Sequence, residues 1–544
     1  MTEKWWKERV FYQIYPRSFQ DSDGDGIGDI KGIISRLDYL KWLGIGAIWI
    51  CPLYDSPNED MGYDIRDYRK IQAEFGTMDD FKDLVCEMHR RDMKLVMDLV
   101  VNHTSNQNTW FVESRRSKDS PYHDYYIWKD GSTDTPPNNW GSFFGGSAWT
   151  YDSDARQWYL HLFSSSQPDL NWENERMRED LYRMINAWLD DGVDGFRMDV
   201  ISLIAKNQNY PNANRNNALC PEYYAFQPKM HTYLNEMRKK CFDGRDCMCV
   251  GETTFVTTEN ASSVVGDGSE LDMLFQFDLM NIDSDGEKWN IKPLDYRKIS
   301  EIIFSWQHAI GWNTLFLGNH DQPRAVSRFG SVKDKKLWIL SAESIAMMMY
   351  CLKGTPFIYQ GEEIGMTNYP FSGSISELRD VESINYLNAS ENKALAWSSI
   401  RKKGRDNART PFQWNPNPNA GFTTGTPWIS VNPNYPEVNV RNEIQDPDSI
   451  LSFYRKLIIL RNQSECLKYG ACIQEQGIDS RIIAYRRKGQ KTEYAVLCNI
   501  SEDTISDVEI PEGRVILTNY CHRISRVMQP YECILIEIQN DSDI

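Results

Sequence analysis

The 544-residue sequence predicts an α/β fold: a (β/α)8, or TIM, barrel with a small domain inserted after the third strand and an all-β domain at the C-terminal end. Three observations predict it. Short apolar runs rich in β-branched and aromatic residues recur eight times without strict polar alternation, as strands buried on both faces of a parallel sheet require. Segments of helical character separate them, which reads as repeated β-then-α units. The rival open doubly wound sheet would want a glycine-rich phosphate loop after its first strand, and none is there.

Taken in order, strands are expected at residues 10–15, 46–51, 94–101, 195–200, 248–251, 274–279, 314–317 and 356–359. Amphipathic helices are expected between them, for example over 77–91 and 175–190. Residues 104–174 greatly exceed the ~12–15 residues of an ordinary structureless loop and are assigned to the inserted domain. That segment is dense in Trp, Tyr, Phe, Asn and Gly, as in Pro136-Pro137-Asn138-Asn139-Trp140 and Phe143-Phe144-Gly145-Gly146. The barrel takes residues 1–103 and 175–470, including a long polar, proline-rich excursion after the eighth strand. From residue 471 to 544, short strands alternate with turn residues, for example at 494–499, 515–517 and 533–538. This C-terminal part is expected to be a β-sandwich.

Composition narrows the function. The 18 Trp, 28 Tyr and 22 Phe exclude a disordered chain. No apolar run approaches the ~18 residues that span a bilayer, and the first residues lack the apolar stretch of a signal peptide. A net charge of −17 repels nucleic acid and anionic lipid, and suits an enzyme for neutral substrates. The expected partner is therefore a small neutral molecule, with no nucleic acid and no membrane, and the protein is expected to be a cytoplasmic monomer. Its 12 Cys are expected to be reduced thiols. Cys241, Cys247 and Cys249 match no zinc spacing and read as structural.

Chemistry in such barrels gathers at the C-terminal ends of the strands. The third strand ends in Asn102-His103, the fourth in Arg197-Met198-Asp199-Val200, the fifth in Gly251-Glu252 and the seventh in Asn319-His320-Asp321. One such acid could be an ion-pair partner or a helix cap. Three around one mouth, with two histidines and an arginine, suit cleavage of a glycosidic bond. One acid protonates the leaving oxygen and another meets the oxocarbenium-like centre, and a separation of about 5 Å gives retention. Arg197 lies two residues before Asp199, hence on the same strand face, and is expected to keep Asp199 ionised. Aromatic rings in the inserted domain suit the apolar C–H faces of sugars.

The run Asp21-Ser22-Asp23-Gly24-Asp25-Gly26-Ile27-Gly28-Asp29 places acids at alternate positions among glycines, an oxygen-ligand loop for Ca²⁺ or Mg²⁺. It lacks the twelfth-position Glu of an EF-hand, where Gly32 stands, and follows a strand rather than a helix. A structural cation, with Ca²⁺ the expected one, is the reading adopted.

The segments Asp98-Leu99-Val100-Val101-Asn102-His103, Gly195-Phe196-Arg197-Met198-Asp199, Gly251-Glu252 and Asn319-His320-Asp321 resemble the four signature regions of the α-amylase family, glycoside hydrolase family 13. Four further stretches resemble its oligo-1,6-glucosidase and α-glucosidase branch: Gln13-Ile14-Tyr15-Pro16-Arg17-Ser18-Phe19, Gln167-Pro168-Asp169-Leu170-Asn171-Trp172, Tyr359-Gln360-Gly361-Glu362-Glu363-Ile364-Gly365-Met366 and Arg405-Asp406-Asn407-Ala408-Arg409-Thr410-Pro411.

The resemblance implies Asp199 as nucleophile, Glu252 as general acid/base and Asp321 as transition-state stabiliser. It implies a closed pocket for the terminal glucose built from Asp60, Tyr63, His103, Phe144, Phe163, Gln167, Arg197, Val200, His320 and Arg409. Asp21, Asp23, Asp25, Ile27 (by its carbonyl) and Asp29 would hold the cation. The implied activity is exo-cleavage of α-1,6-linked glucose, with some α-1,4, from short oligosaccharides such as isomaltose, because similar enzymes with Val after the nucleophile favour α-1,6 bonds.

Neighbouring activities leave marks too. Sucrose isomerases carry Arg-Leu-Asp-Arg after the sixth strand, where this chain has Asn281-Ile282-Asp283-Ser284. Dextran-type glucosidases often carry Trp two residues after the acid, where this chain has Thr254. Trehalose-6-phosphate hydrolases share nearly every motif and need a cationic phosphate clamp, which Lys288 or Lys292 could supply. A catalytically silent sugar-binding relative would have lost carboxylates that this chain retains. A calcium-regulated protein would rest on the Asp21–Asp29 loop alone, which reads better as a staple on the first βα connection.

Overall fold

Eight parallel strands occupy one sheet in the computed structural model, which describes residues 4–266, 268–521 and 525–538. They are β1 (Phe11–Ile14), β2 (Ala47–Ile50), β3 (Lys94–Val100), β4 (Gly195–Asp199), β5 (Met248–Glu252), β6 (Met273–Phe275), β7 (Asn313–Leu315) and β8 (Gly354–Tyr359). Their order, 6-5-4-3-2-1-8-7, makes each strand the neighbour of its sequence neighbour. The Thr314 hydroxyl on β7 donates to the Leu274 carbonyl on β6 at 2.7 Å, so the two ends of the sheet meet. Nearly every strand residue is buried, which is why the runs are apolar throughout instead of alternating.

Aromatic side chains from four strands meet in series, Trp49 on Phe275 at 5.5 Å, Phe275 on Phe357 at 4.8 Å and Phe357 on Phe11 at 4.5 Å between ring centroids. These rings join strands that are not all adjacent, so they fill the barrel and leave no pore.

Helices α1 (Ile30–Leu43), α2 (Met78–Arg90), α3 (Glu175–Asp190), α4 (Pro228–Met237), α5 (Tyr296–Ala309), α6 (Lys335–Tyr350) and α7 (Ile450–Gln463) accompany the strands. Their starts follow from local chemistry. Thr77 and Asp80 cap α2 reciprocally, and Asn174 accepts from the Met177 N–H at the start of α3. Gly44 ends α1 at φ 101°, a conformation open to glycine, where an added Cβ would meet Ile458 at 2.8 Å. The expected cadence fails once: between β5 and β6 there is only the 3-10 turn Ala261–Ser263.

The inserted domain holds a three-stranded sheet, with Gln157–Leu160 between Trp128–Lys129 and Trp149–Asp152. The connection after β4 completes it, which the boundary at residue 174 omitted. Trp140 Nε1 donates to the Pro211 carbonyl at 2.7 Å, and the Asn217 N–H to that of Asn139 at 2.9 Å. Aromatic residues of both segments share one apolar cluster, which no linear boundary could reveal.

The C-terminal part departs from the expected sandwich. Among the described residues it is one antiparallel sheet of five strands, β9 (Ala471–Gln474), β10 (Ile482–Lys488), β11 (Glu493–Asn499), β12 (Gly513–Thr518) and β13 (Cys533–Ile538), ordered 9-10-11-13-12. One face lies against α6, where Tyr485 OH donates to the Met348 carbonyl at 2.9 Å. Ile505, Val508 and Met528, from irregular segments, cover the other. A second sheet is unnecessary because the barrel supplies one layer and loops the other. No described helix is long and apolar enough to cross a membrane.

Candidate active site

Register brings the acids together. Asp98 on β3 lies opposite Arg197 on β4, and Val100 opposite Asp199. Val250 on β5 faces Arg197 from the other side, two residues before Glu252. The Arg197 guanidinium therefore meets three carboxylates. Nη1 is 2.8 Å from Asp98 Oδ1 and 2.7 Å from Asp199 Oδ1, and Nη2 is 2.8 Å from Glu252 Oε2. Neighbouring nitrogens of one guanidinium hold Asp199 and Glu252 close together, as retention requires.

This arrangement revises the expectation for Arg197. One cation shared among three buried acids offsets only part of the cost of burying their charge. Burial, with Glu252 and Asp98 nearby, pushes Asp199 above the ordinary carboxylate range against the pull of Arg197. Burial pushes Asp98 up to about 6, again against Arg197. The three acids share this one cation and act on one another.

Asp321 lies beyond the end of β7, on a loop, and its surroundings are opposite in sign. Arg409 Nη2 stands 2.9 Å and Arg405 Nη1 3.3 Å from its Oδ1, and His320 Nε2 is 3.1 Å from Oδ2. Burial alone would raise this carboxyl, but His320 and the two arginines hold it well below the usual range. Burial pushes His320 itself down to about 3, so at neutral pH the arginines supply the charge. Gln13 Nε2 at 2.8 Å from His320 Nδ1 and the Tyr63 ring, stacked at 5.2 Å, fix the imidazole.

A cavity of about 220 Å³ opens on these groups. Asp199, Glu252 and Asp321 line it, as do Asp60, Tyr63, His103, Phe144, Phe163 and Val200. The other four expected pocket residues are buried behind this wall and act on it. Gln167 donates to Asp60 at 3.2 Å, Arg197 holds Asp199, and His320 and Arg409 hold Asp321. Burial pushes His103 down to about 4, and its Nε2 lies 3.1 Å from the Tyr63 carbonyl, so it is a neutral donor.

Several residues come from the structure alone. Arg405, rather than Arg409, reaches Asp60, at 3.0 Å, and it also touches Asp321 and Asp380 and lies 5.1 Å from the centre of the Phe144 ring. Both arginines stand in one short sequence stretch, and which of them faces the cavity depends on the turn at 406–409. Lys206, fully buried, bridges Asp169 and Asn102 at 2.8 Å each, joining the inserted domain to the end of β3. Farther out the cavity is lined by Thr254, Phe277, Asn281, Lys288, Glu382 and Lys403. Lys288 pairs with Glu382 at 2.5 Å and Lys403 with Asp283 at 2.7 Å.

Away from the cavity, Asp21, Asp23 and Asp29 bring carboxylate oxygens within 4.8 Å of one another. Among the described residues no lysine or arginine pairs with them, so their repulsion is uncompensated by protein cations. Asp25 falls outside this group and its carboxylate accepts from the Ile27 N–H at 2.7 Å. The three residues are the only group of metal-ligand type among the described residues, so Cys241, Cys247 and Cys249, all buried and free, form none.

A barrel with such carboxylates at its mouth defines a glycoside hydrolase. The alpha-amylase catalytic-domain family matches residues 13–470. The oligo-1,6-glucosidase of Bacillus cereus is 48% identical, over 99% of this chain and all of that protein. Among solved structures, the trehalose-6-phosphate hydrolase of Bacillus licheniformis is 41% identical, covers 98% of this chain and 100% of its own, and superposes with a TM-score of 0.93. For the isomaltulose synthase of Klebsiella sp. LX3 the values are 42%, 99%, 100% and 0.94. The chain belongs to the α-amylase family.

Proposed function

We propose that this protein is a retaining, exo-acting α-glucosidase that removes terminal α-1,6-linked glucose, and some α-1,4-linked glucose, from short oligosaccharides such as isomaltose. Asp199 attacks the anomeric carbon while Glu252 gives its proton to the departing oxygen. Water, deprotonated by Glu252, then releases glucose from the covalent intermediate. Asp321, kept anionic by its arginines, faces the positive charge that develops on the ring. Glu252 lines the cavity and is held beside Asp199 by Arg197, which places it to give the proton that leaving-group departure consumes.

The observation that carries the choice of substrate is the pairing of Lys288 with Glu382 and Lys403 with Asp283 on the outer side of the cavity. Both lysines that line the cavity are spoken for, and Lys292 is not among its lining residues. A phosphate bound there would face Glu382 beside Lys288, which disfavours trehalose-6-phosphate and suits a neutral leaving sugar. Val200 lines the cavity next to the nucleophile, where its branched side chain shapes the leaving-group side.

Side-by-side rates on isomaltose, maltose, sucrose and trehalose-6-phosphate test this reading, with isomaltose expected fastest. A higher kcat/KM on trehalose-6-phosphate would replace it.

We read the protein as a cytoplasmic monomer; light scattering tests the oligomeric state. The all-oxygen donor set of Asp21, Asp23 and Asp29 suits a hard cation, and we assign it a structural Ca²⁺, with Asp25 and Ile27 flanking. The ion would neutralise the three acids at the start of α1, far in role from the sugar chemistry.

A further inference from the structure

Residue 200 has an unusual backbone. Val200 sits at φ 36°, ψ 39°, in the left-handed region. A β-branched residue seldom occupies it, because its side chain crowds the adjacent backbone. Such a conformation persists only where the surroundings over-determine it.

Two anchors do so here. The side chain belongs to the apolar cluster of the inserted domain, with Trp140, Leu203 and Tyr224. The backbone turns at once into the 3-10 segment Ile201–Leu203, and the Val200 N–H donates to Glu252 Oε2 at 3.0 Å. That same oxygen meets Arg197 Nη2 at 2.8 Å. Among the described residues none is hydrogen-bonded to the other carboxyl oxygen, Oε1, while Glu252 lines the cavity.

We infer that the Val200 main-chain N–H is a positioning donor for the acid/base, fixing Glu252 through Oε2 so that Oε1 is the oxygen that delivers the proton. The inference rests on the glucosidase reading and deepens it. Oε2 accepts the Val200 N–H and lies 2.8 Å from the Arg197 cation, so it is the oxygen that best carries negative charge, and the proton resides on Oε1. In the first step the Asp199 carboxylate forms a bond to C1 as the glycosidic C–O bond breaks. The Oε1–H bond breaks with it, the proton leaves on the departing sugar's oxygen, and Glu252 becomes a carboxylate. In the second step Oε1 takes a proton from water as the hydroxyl oxygen bonds to C1 and the Asp199 ester bond breaks. The strained turn thus ties the packing of the inserted domain to the aim of the catalytic acid.

Replacing Val200 by its α-hydroxy acid, which swaps the N–H for an ester oxygen and keeps the side chain, isolates the donor. The readout is kcat/KM over aryl α-glucosides from phenyl to dinitrophenyl, whose leaving groups need progressively less protonation. The ester protein is expected to lose about tenfold or more on the phenyl glucoside, the scale of a hydrogen bond to a charged group, and distinctly less on the dinitrophenyl one. Val200→Gly keeps the N–H but loses the side-chain clamp, and it is expected to steepen the same dependence. Equal loss across the series in both variants would overturn the inference and leave Val200 a packing residue. The series contains no sugar–sugar linkage, so a wrong reading of the α-1,6 preference would leave this test standing.

Discussion

At the scale of single residues, charge is what sorts the carboxylates of the cavity. Asp321 meets two arginines, whereas Asp98, Asp199 and Glu252 share one. The first is a fixed anion; the second group is short of positive charge. Asp199→Asn removes the proposed nucleophile and one charged partner of Arg197 without changing shape. Turnover of isomaltose is expected to fall by about a thousandfold or more, with an unchanged circular dichroism spectrum; a loss within tenfold would move the nucleophile elsewhere. Val200→Thr replaces a methyl by a hydroxyl on the cavity wall. The ratio of maltose to isomaltose rates is expected to rise severalfold, within the ~1–3 kcal/mol that such a pocket change can discriminate. An unmoved ratio would remove the side chain from linkage choice.

Among the elements, the loop Asp21–Asp29 and the turn after β8 carry separable consequences. Asp29 caps α1 by accepting from the Gly32 N–H and also accepts from Ser22, while the Thr423 hydroxyl donates to Asp21. A cation there strengthens the start of α1 and its seam with residues 420–428. Chelation is expected to lower the melting temperature by several degrees and the room-temperature rate by much less; equal loss of both would make the ion part of the catalytic site. After β8, Glu362 is buried, with the Tyr350 and Tyr454 hydroxyls donating to Oε1 and no protein partner at Oε2. Burial pushes it up to about 8. An unfolded glutamate releases its proton near pH ~4.3, so between these values the folded chain holds a proton that the unfolded chain has lost. Stability therefore falls as pH rises through this window, by up to about 1.4 kcal/mol per unit from this one group, and levels off above it. Glu362→Gln is expected to flatten the melting temperature between pH 5 and 8; a parallel curve would assign the slope to other groups.

Over the whole molecule, the C-terminal sheet is held to the barrel by polar contacts as well as by apolar packing. Arg487, fully buried on β10, donates to the carbonyls of Cys351, Leu467 at 2.8 Å and Gly470 at 2.9 Å. Ser344 on α6 donates to the Asn499 carbonyl at 2.9 Å. Arg487→Ala leaves buried carbonyls without donors, at about 1–3 kcal/mol each. It is expected to lower the melting temperature by several degrees with KM for isomaltose unchanged, since no cavity residue moves; a changed KM would couple this seam to the site.

The sequence by itself determined the barrel, the inserted domain and the three carboxylates, because each leaves a local mark. Doubly buried strands read as unbroken apolar runs, and Asp199, Glu252 and Asp321 at or just beyond the ends of three such runs stand out together where one alone could be an ion-pair partner or a cap. What only the tertiary structure decided concerns contacts between distant segments. Arg405 rather than Arg409 meets Asp60, 345 residues away. Lys206 joins Asp169 to Asn102, and residues after β4 complete the inserted domain. A single C-terminal sheet suffices because barrel and loops supply its other layers. Partners separated by tens or hundreds of residues obey no periodicity, and the sharing of one guanidinium among Asp98, Asp199 and Glu252 follows from strand register, which forms only when the barrel closes.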